Sequence, residues 1–358
     1  MLGAKIAARK NAIVRKVNEF KALSTKDKWK FIANWVLDHA MILIIILMVF
    51  YIYQQKPSFL GWASVLNIVS LTAARLPMAL GIAGAIILTG TDLSAGRIVG
   101  LTAFVSAILL QKSGVIGKFF EGIGPQPLVL VILLAMAIGG LIGLVNGFCV
   151  ARFKLHPFIV TLSTQLIIYG TYLTLSGAQQ ISSLDTSYTT NFVTHSMFRI
   201  GTTPVMTYVA FAAVATVIMW FIWNKTTFGK NMFAVGSNEE AARVSGVNVT
   251  LTIIGVFALA GVTYGYTGFI EAARLGASTG SLGLNYELDA IAACVIGGVS
   301  FVGGIGKISG VIVGVVLMQL ILSGMTFLGI SGNTTYIIKG TVILVACAID
   351  MRKYLVKK

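Results

Sequence analysis

PLVLVILLAMAIGGLIGLVNGFCV (127–150) is a run of twenty-four residues without a charged side chain. A second run, MILIIILMVFYIY (41–53), is equally apolar. A helix needs about 20 apolar residues to cross a hydrocarbon core ~30 Å thick, so such runs predict membrane-spanning helices. A transmembrane β-barrel would instead alternate polar and apolar residues along each strand. We therefore expect an all-α polytopic membrane protein, some of whose helices are broken by glycine-rich stretches.

The composition of the whole chain agrees with this fold class. Of its 358 residues, 56% are hydrophobic and only 11% are charged, whereas a soluble domain has roughly 25% charged residues. Apolar length and helix breakers divide the chain into ten predicted spans, with eight as the alternative count. The ten are residues 36–53, 65–89, 96–112, 128–150, 158–176, 204–223, 251–270, 286–302, 308–330 and 334–350.

Basic residues are distributed unevenly between the two sides of these spans. With the N-terminus inside, the inner loops hold twenty Lys and Arg residues and the outer loops six. Because Lys and Arg are enriched on the cytoplasmic side, we expect an inner-membrane protein with both termini in the cytoplasm. The predicted transmembrane domain is 36–350, in contact with membrane lipid, and it is followed by a basic tail, 351–358. Residues 1–35 form a basic segment, either a solvated tail or an amphipathic helix on the membrane surface.

Several functions are not expected. The three cysteines all lie in apolar runs, where a free thiol behaves as a small hydrophobic group, so no disulfide is predicted. The three histidines have no metal-ligand spacing, and no metal site is predicted. Most basic residues lie in short loops beside spans, which argues against a nucleic-acid partner.

Two predicted spans are interrupted by helix breakers. Pro77, Gly81, Gly84 and Gly90 punctuate the first interrupted interval, and several glycines punctuate residues 286–310. Irregular backbone at membrane depth persists only where protein or water satisfies its polar groups. Discontinuous helices of this kind form substrate sites in transporters, so both intervals are candidates for a translocation path.

The first break, GTDLSAGRIVG (90–100), places charges of both signs between two apolar runs. Thr91, Asp92 and Ser94 are residue types that cap helix N-termini, where a side-chain oxygen satisfies unpaired N–H groups. An ionisable group near the membrane interior is also a functional candidate. Asp92 therefore has three open interpretations: a helix cap, a direct role on the path, or an ion pair with Arg97.

The largest predicted cytoplasmic loop, 224–250, contains signals for a short helix. Asn238 is a favourable N-cap residue, and Glu239 precedes Arg243 by four positions, the spacing of a stabilising ion pair. Gly246 is suited to end the helix. Two helical turns are too short to be stable alone, so the helix is either an ordinary loop helix or one that docks on a partner.

The residues E-A-A-x-x-x-G resemble the start of the cytoplasmic signature loop of ABC-transporter permeases, although the Ile-x-Leu-Pro that usually follows is absent. In that family this short coupling helix docks on the ATPase subunit. The resemblance implies an ATPase-coupling role for Asn238, Glu239, Glu240, Ala241, Ala242, Arg243 and Gly246.

The resemblance extends from about residue 40 to the C-terminus. GTDLSAGR (90–97), the 224–249 loop, EAARLGASTGSLGLNYELDAIAACVIGGVSFVGG (271–304) and YIIKGTVILVACAID (336–350) are similar to the monosaccharide permeases of ABC importers, the ribose and galactose type. The threonine in GTDLSAGR and the form ELDAIAACVIGGVSF make the galactose/methyl-galactoside group the most similar.

The resemblance implies several partners: a second copy of this permease, an ABC ATPase subunit and an extracytoplasmic sugar-binding protein. ATP and Mg²⁺ would be bound by the ATPase, with no cofactor on this chain, which would be a transport subunit rather than an enzyme. The sequence agrees, since its nearest match to a Walker A motif has Phe301 in place of the first glycine and Ile308 in place of Ser or Thr.

Two other functions remain open. One is a secondary transporter driven by an ion gradient, which would keep acidic groups within its spans; Asp92, Glu271, Glu287 and Asp289 are the candidates, and all lie near span ends or breaks. The other is an ABC permease for a different small solute, such as ribose, xylose or a nucleoside. A non-transporting scaffold would leave the broken helices unexplained.

Candidate sugar contacts follow from the chemistry of a neutral hexose, which favours hydroxyl, amide and aromatic groups. The translocation-path candidates are Thr89, Thr91, Asp92, Ser94, Asn146, Gln165, Tyr169 and Tyr264. Each also has a structural explanation, since Ser and Thr promote helix packing in membranes and Tyr anchors at the interface. At the predicted outer surface, the candidates to face the binding protein are Glu271, Arg274, Glu287 and Asp289, the first two of which are spaced to pair.

Overall fold

The computed structural model describes residues 24, 25, 27–29, 31 and 40–355, which are mainly helical. Described residues from Tyr51 onward form one compact unit. The helices are α1 (Ala40–Gln55), α2 (Trp62–Ile87), α3 (Ala95–Leu109), α4 (Leu128–Phe153), α5 (Pro157–Ser176), α6 (Thr207–Lys225), α7 (Thr227–Ser237), α8 (Glu239–Val244), α9 (Val249–Leu275), α10 (Tyr286–Ile296), α11 (Ile308–Phe327) and α12 (Gly332–Leu355).

The all-helical polytopic fold is confirmed. Seven helices of the described chain are long and apolar enough to cross a membrane: α2, α4, α5, α6, α9, α11 and the Gly332–Arg352 part of α12. The other three predicted spans also contain helices, but shorter ones: the Leu43–Gln55 part of α1, Ala95–Leu109 and Tyr286–Ile296. Ten spans therefore stays a prediction, as does eight.

The structure describes only part of the two predicted terminal segments, 1–35 and 351–358. The predicted amphipathic helix at the N-terminus lies outside the described residues, apart from a few positions between 24 and 31. At the other end, α12 continues through Leu355. The part of the predicted tail that the structure describes, 351–355, is thus helical and continuous with the last span.

A small β-hairpin interrupts the helical pattern and was not predicted. Strand β1 (Ser196–Ile200) pairs antiparallel with β2 (Thr203–Met206) just before α6. Only two residues join the strands, and Gly201 supplies the positive φ (62°) that such tight turns need. A single glycine between two short segments of mixed polarity is too weak a turn signal to predict a hairpin from the sequence.

The glycines of the two predicted interruptions have different effects on the helices. α2 runs unbroken through Pro77, Gly81 and Gly84, and the chain leaves the helix only after Ile87. Gly81 serves packing instead, because a Cβ there would lie 2.2 Å from the Thr263 hydroxyl of α9. The second interval does break the helix: α10 ends at Ile296, and irregular backbone follows up to α11.

The centre of the bundle is the contact between α4 and α9. Gly139, Gly143 and Gly147, spaced four apart, form one face of α4. A Cβ added at Gly139 would lie 2.2 Å from the carbonyl oxygen of Gly261, and one at Gly143 would lie 2.1 Å from that of Phe257. Small residues at this spacing let two helix backbones approach closely, which is how membrane helices gain packing energy.

Candidate functional site

The break between α2 and α3 contains a buried polar cluster. Asp92 is fully buried, and its Oδ1 accepts hydrogen bonds from the backbone N–H (3.0 Å) and the hydroxyl (2.5 Å) of Ser94. The Ser94 hydroxyl accepts from Asn146 Nδ2 on α4 (3.0 Å), and Asn146 Oδ1 accepts from the Thr164 hydroxyl on α5 (2.6 Å). A continuous chain of hydrogen bonds therefore connects the break to two membrane-spanning helices.

Thr161 on α5 holds the backbone of the same break. Its hydroxyl accepts from the Leu93 N–H (3.1 Å) and lies 3.2 Å from the carbonyl oxygen of Thr91. Irregular backbone at this depth needs such protein partners. The sequence reasoning missed Thr161 and Thr164, because a hydroxyl within a span also bonds to the preceding turn of its own helix and gives no separate signal.

Asp92 acts on the N-cap residue rather than on the helix itself. Ser94 is the N-cap of α3, but its side chain makes no capping hydrogen bond to this helix. The other charge of the break points elsewhere: Arg97 donates to the carbonyl oxygen of Gly280 (3.1 Å) and lies 4.0 Å from the centre of the Tyr169 ring. The structure thus pairs Asp92 with Ser94 and not with Arg97.

Substitutions at Asp92 test this assignment. Asp92→Asn is expected to fold like the wild type, because an amide oxygen can accept the same two hydrogen bonds from Ser94. Asp92→Leu removes the acceptor and leaves the buried Ser94 N–H unpaired, which costs about 1–3 kcal/mol. The thermal unfolding midpoint in detergent should fall for Asp92→Leu alone. An equal fall in both variants would mean that the negative charge, rather than the acceptor, stabilises the break.

The remaining path candidates do not converge on one place. Tyr264 is buried beside the Asp92 carboxylate, and neither its hydroxyl nor Asp92 Oδ2 has a well-formed hydrogen bond within the described chain. Tyr169 lies instead beneath Arg97. The others are outside the cluster: Thr91 and Gln165 are half-buried and Thr89 is exposed. Sugar contact by these residues stays a prediction.

The 224–250 loop folds into two short helices, α7 and α8. The predicted short helix is present as α8: Asn238 Oδ1 accepts from the Ala241 N–H (2.9 Å), and Arg243 Nη2 lies 2.7 Å from Glu239 Oε1. Gly246 follows with φ +83°, a conformation that ends a helix. The preceding helix, α7, was not predicted.

One face of α8 is buried, and the opposite face is exposed within the part of the chain that the structure describes. Ala242 is buried in an apolar cluster with residues of α4, α5 and α9. On the opposite side, Val244 is 89% exposed and the Glu240 side chain 78% exposed. An isolated helix of this length is unstable, so packing through Ala242 holds α8 in place and presents Val244 outward.

Lys154, at the end of α4, adds a second link to α8. Its ammonium lies 2.7 Å from Glu239 Oε1, the oxygen that Arg243 also contacts. The hydrogen bond from Lys154 lowers the pKa of the Glu239 carboxyl below its usual value. Because all three side chains are substantially exposed, the pairs orient α8 more than they stabilise the fold.

The end of α7 joins the two glycine-rich breaks. The backbone N–H of Gly304, in the second break, donates to the carbonyl oxygen of Ile87 at the end of α2 (2.8 Å). Gly236 of α7 lies against both, since a Cβ there would be 1.9 Å from the Ile87 oxygen and 2.9 Å from the Gly304 nitrogen. We call Ile87, Gly236, Gly303 and Gly304 the glycine junction. It connects the 224–250 loop with both interrupted regions.

A cluster of charges lies between α2, α10 and α12. Arg75 Nη1 is 3.1 Å from Asp289 Oδ2, and Lys339 Nζ is 2.9 Å from the same carboxylate. The Arg75 guanidinium also lies 3.8 Å from the centre of the Tyr286 ring. Arg75 and Lys339 were not among the predicted site residues, although Arg75 is a charge within a predicted span, a signal that marks functional positions in membranes.

The residues expected to face a binding protein are largely inside the bundle. Arg274 Nη2 pairs with Glu271 Oε2 at 2.7 Å, as their spacing predicted, and Glu271 is fully buried. Glu287 and Asp289 are also buried. All three carboxyl groups are therefore enclosed by the described chain in this structure, and contact with a binding protein stays a prediction. Within the described residues, no three His, Cys, Asp or Glu side chains are grouped so as to hold a metal ion.

Comparison with known families gives one match over most of the chain. Residues 64–347 match the family described as the branched-chain amino acid transport system / permease component. This range includes the polar cluster, α7, α8, the glycine junction and the charged cluster. No solved structure matches the chain.

Individual relatives are import permeases for sugars. The galactose/methyl galactoside import permease of Salmonella typhimurium strain LT2 is 44% identical over 94% of this chain and 100% of its own length, and that of Escherichia coli strain K12 has the same values. The ribose import permease of Escherichia coli strain K12 is 32% identical over 90% of this chain and 96% of its own length.

Proposed function

Because the chain belongs to the family of branched-chain amino acid transport system permease components, we propose that it is the membrane-spanning permease of an ABC importer for a galactose-type monosaccharide. The substrate follows from the relatives named as galactose/methyl galactoside permeases, whose identity of 44% exceeds the 32% of the ribose permease. Ribose and other small solutes remain alternative substrates, and the uptake assay below distinguishes them from galactose.

The observation that carries this proposal is the geometry of α8. In an ABC importer, a permease that has no phosphate-binding loop receives the energy of ATP from a partner subunit. α8 fits such a contact because Ala242 anchors it while Val244 and Glu240 project from the protein. Its neighbour α7 contributes Gly236 to the glycine junction. A movement of α8 can therefore be transmitted through α7 to the chain segments that follow α2 and α10.

The proposed assembly contains two copies of this permease, an ABC ATPase that binds ATP and Mg²⁺, and an extracytoplasmic sugar-binding protein. In this arrangement the permease lies in the inner membrane with both termini in the cytoplasm, on the same side as α8. The chain itself carries no cofactor and catalyses no reaction. In this proposal its function is to open and close a path for the sugar through the membrane.

The test begins with purification of the tagged chain from detergent-solubilised native membranes. We expect an ATPase and a sugar-binding protein to co-purify, and the reconstituted complex to take up radiolabelled galactose only when ATP is present inside. Competition by unlabelled ribose, xylose or a nucleoside would reassign the substrate. Uptake that survives removal of ATP but stops when an ion gradient is collapsed would replace the proposal with a secondary transporter.

Val244→Lys examines the ATPase contact in the same preparation. A lysine in place of the exposed valine should reduce the ATPase recovered with the permease by about tenfold, because a charge would be placed at the centre of an apolar contact. The matched control is Ile116→Lys, which changes another highly exposed apolar residue in a loop remote in sequence. Equal recovery of the ATPase with both variants would contradict the assignment of α8.

A further inference from the structure

The second break, the irregular segment 297–307 between α10 and α11, lies beside the start of α8. A Cβ added at Gly304 would lie 2.8 Å from both the Cα and the backbone nitrogen of Ser237. Ser237 ends α7 and directly precedes Asn238, the N-cap residue of α8. The second break and α8 are therefore at the same end of the protein.

The turn at the centre of the second break is held by hydrogen bonds to buried groups. The backbone N–H of Ser300 donates to the carbonyl oxygen of Ile305 (3.1 Å), and the Ser300 hydroxyl donates to Asp350 Oδ2 on α12 (3.1 Å). Ser300 and Asp350 are both buried. A turn fixed in this way presents its outward side chains to a partner without the entropic cost of ordering a loop on binding.

Apolar side chains and a groove are exposed on this turn. Val302 is 45% and Ile305 is 49% exposed. A groove of about 610 Å³ lies between Phe233 of α7 and the second break, and its wall includes Lys307, Ser309 and the backbone of five glycines. A lipid acyl chain offers no partner to such hydrogen-bonding groups, so the groove fits a protein surface.

Lys307 gives the groove a positive charge. It is exposed, and none of the ion pairs within the part of the chain that the structure describes includes it. It also directly precedes α11, and a helix N-terminus carries a partial positive charge. The groove is therefore complementary to an acidic side chain of a partner.

α8 alone is too small for a stable contact with another protein. It has six residues, whereas a stable protein–protein interface involves about 20–30 residues on each side. A partner that binds α8 must therefore cover neighbouring surface as well. The second break adjoins α8 across Ser237 and combines exposed apolar side chains with polar groups, the composition that such an interface needs.

We propose that the second break is a second contact site for the ATPase subunit. This inference rests on the proposed function, in which that subunit binds α8. The ATPase places an apolar side chain against Val302 and Ile305 and an acidic side chain beside Lys307. Because the second break connects α10 with α11, a movement of the ATPase acts on these two helices directly, in addition to the route through α7.

Photocrosslinking in the purified complex tests where the ATPase lies. p-Benzoylphenylalanine is placed at position 305 of the full-length tagged permease, and irradiation is expected to form an adduct that mass spectrometry identifies as the co-purified ATPase. The same probe at Val244 is the positive reference. At Phe198, 55% exposed in the β-hairpin, we expect no ATPase adduct, because the 19 residues of α6 separate the hairpin from α7 by about 28 Å.

Lys307→Glu tests the charge. Reversal of the charge beside an acidic partner should reduce the ATPase recovered with the permease by roughly tenfold, whereas Lys307→Arg should recover as much as the wild type. Since Lys307 is exposed and has no ion pair within the described chain, both variants should keep the unfolding midpoint of the wild-type permease.

Two results would overturn the second contact. One is a probe at position 305 that reacts with phospholipid, or with nothing, while the probe at 244 captures the ATPase. The other is full recovery of the ATPase with Lys307→Glu. Failure of the proposed function would look different, because the wild-type permease would then co-purify without any ATPase.

Discussion

Gly261→Val should leave little correctly folded protein in the membrane. A Cβ at position 261 would lie 2.0 Å from the carbonyl oxygen of Gly139 and 3.2 Å from the Cα of Gly143. Both obstacles are backbone atoms of α4, which cannot rotate aside as a side chain can. Overpacking a tight core contact costs about 1–3 kcal/mol and occasionally more, and here relief requires α4 and α9 to separate along their length.

The measurement is the monodisperse fraction and the thermal unfolding midpoint of the detergent-solubilised protein. Gly261→Ala, with one added carbon, should lie between the wild type and Gly261→Val. Gly170→Val is the control, because a Cβ at Gly170 on α5 meets no atom within 4 Å, and it should match the wild type. A Gly261→Val protein as stable as this control would show that the two helices do not pack through their glycines.

Gly236→Val should reduce galactose uptake at least tenfold by disrupting the glycine junction. The valine Cβ would lie 1.9 Å from the Ile87 carbonyl oxygen, so α7 would have to move away from the end of α2. The hydrogen bond from the Gly304 N–H to that oxygen would be lost or lengthened. Since α7 leads directly into α8, this change separates the proposed ATPase contact from both breaks.

Ala234→Val provides the comparison, because it adds the same branched side chain at an exposed position of α7. Uptake and ATP hydrolysis should be measured together with the unfolding midpoint of each variant. We expect Gly236→Val to retain the ATPase while the ATP consumed per galactose increases. If both variants transport galactose equally well, the junction does not transmit movement from α8.

Local signals account for what the sequence predicted well. A membrane span depends on the length and polarity of one continuous segment, so each predicted span overlaps a helix in the described chain, although three of these helices are shorter than a span. The same holds for α8, since its cap and its ion pair join residues three and four positions apart. Neither prediction required knowledge of any other part of the chain.

Prediction was weaker where one residue type has several local uses. Gly81 and Gly84 were expected to interrupt a span, but a glycine within a membrane helix also permits close packing, and that is their role in α2. The sequence likewise identified Asp92 as important without identifying its partners. Ser94 is two residues away, but the network then extends to Asn146 and Thr164 on two further helices.

The sequence by itself determined the membrane class, the approximate positions of the apolar helices and the short helix in the 224–250 loop. Only the tertiary structure decided which faces meet: Arg75 pairs with Asp289 across 214 positions, and Ile87, Gly236 and Gly304 converge on one junction. In a soluble helix an apolar stripe shows which face is buried. A span in lipid is apolar on every side, so its partners are selected by small residues and polar contacts, whose pairing becomes visible only when the helices are packed.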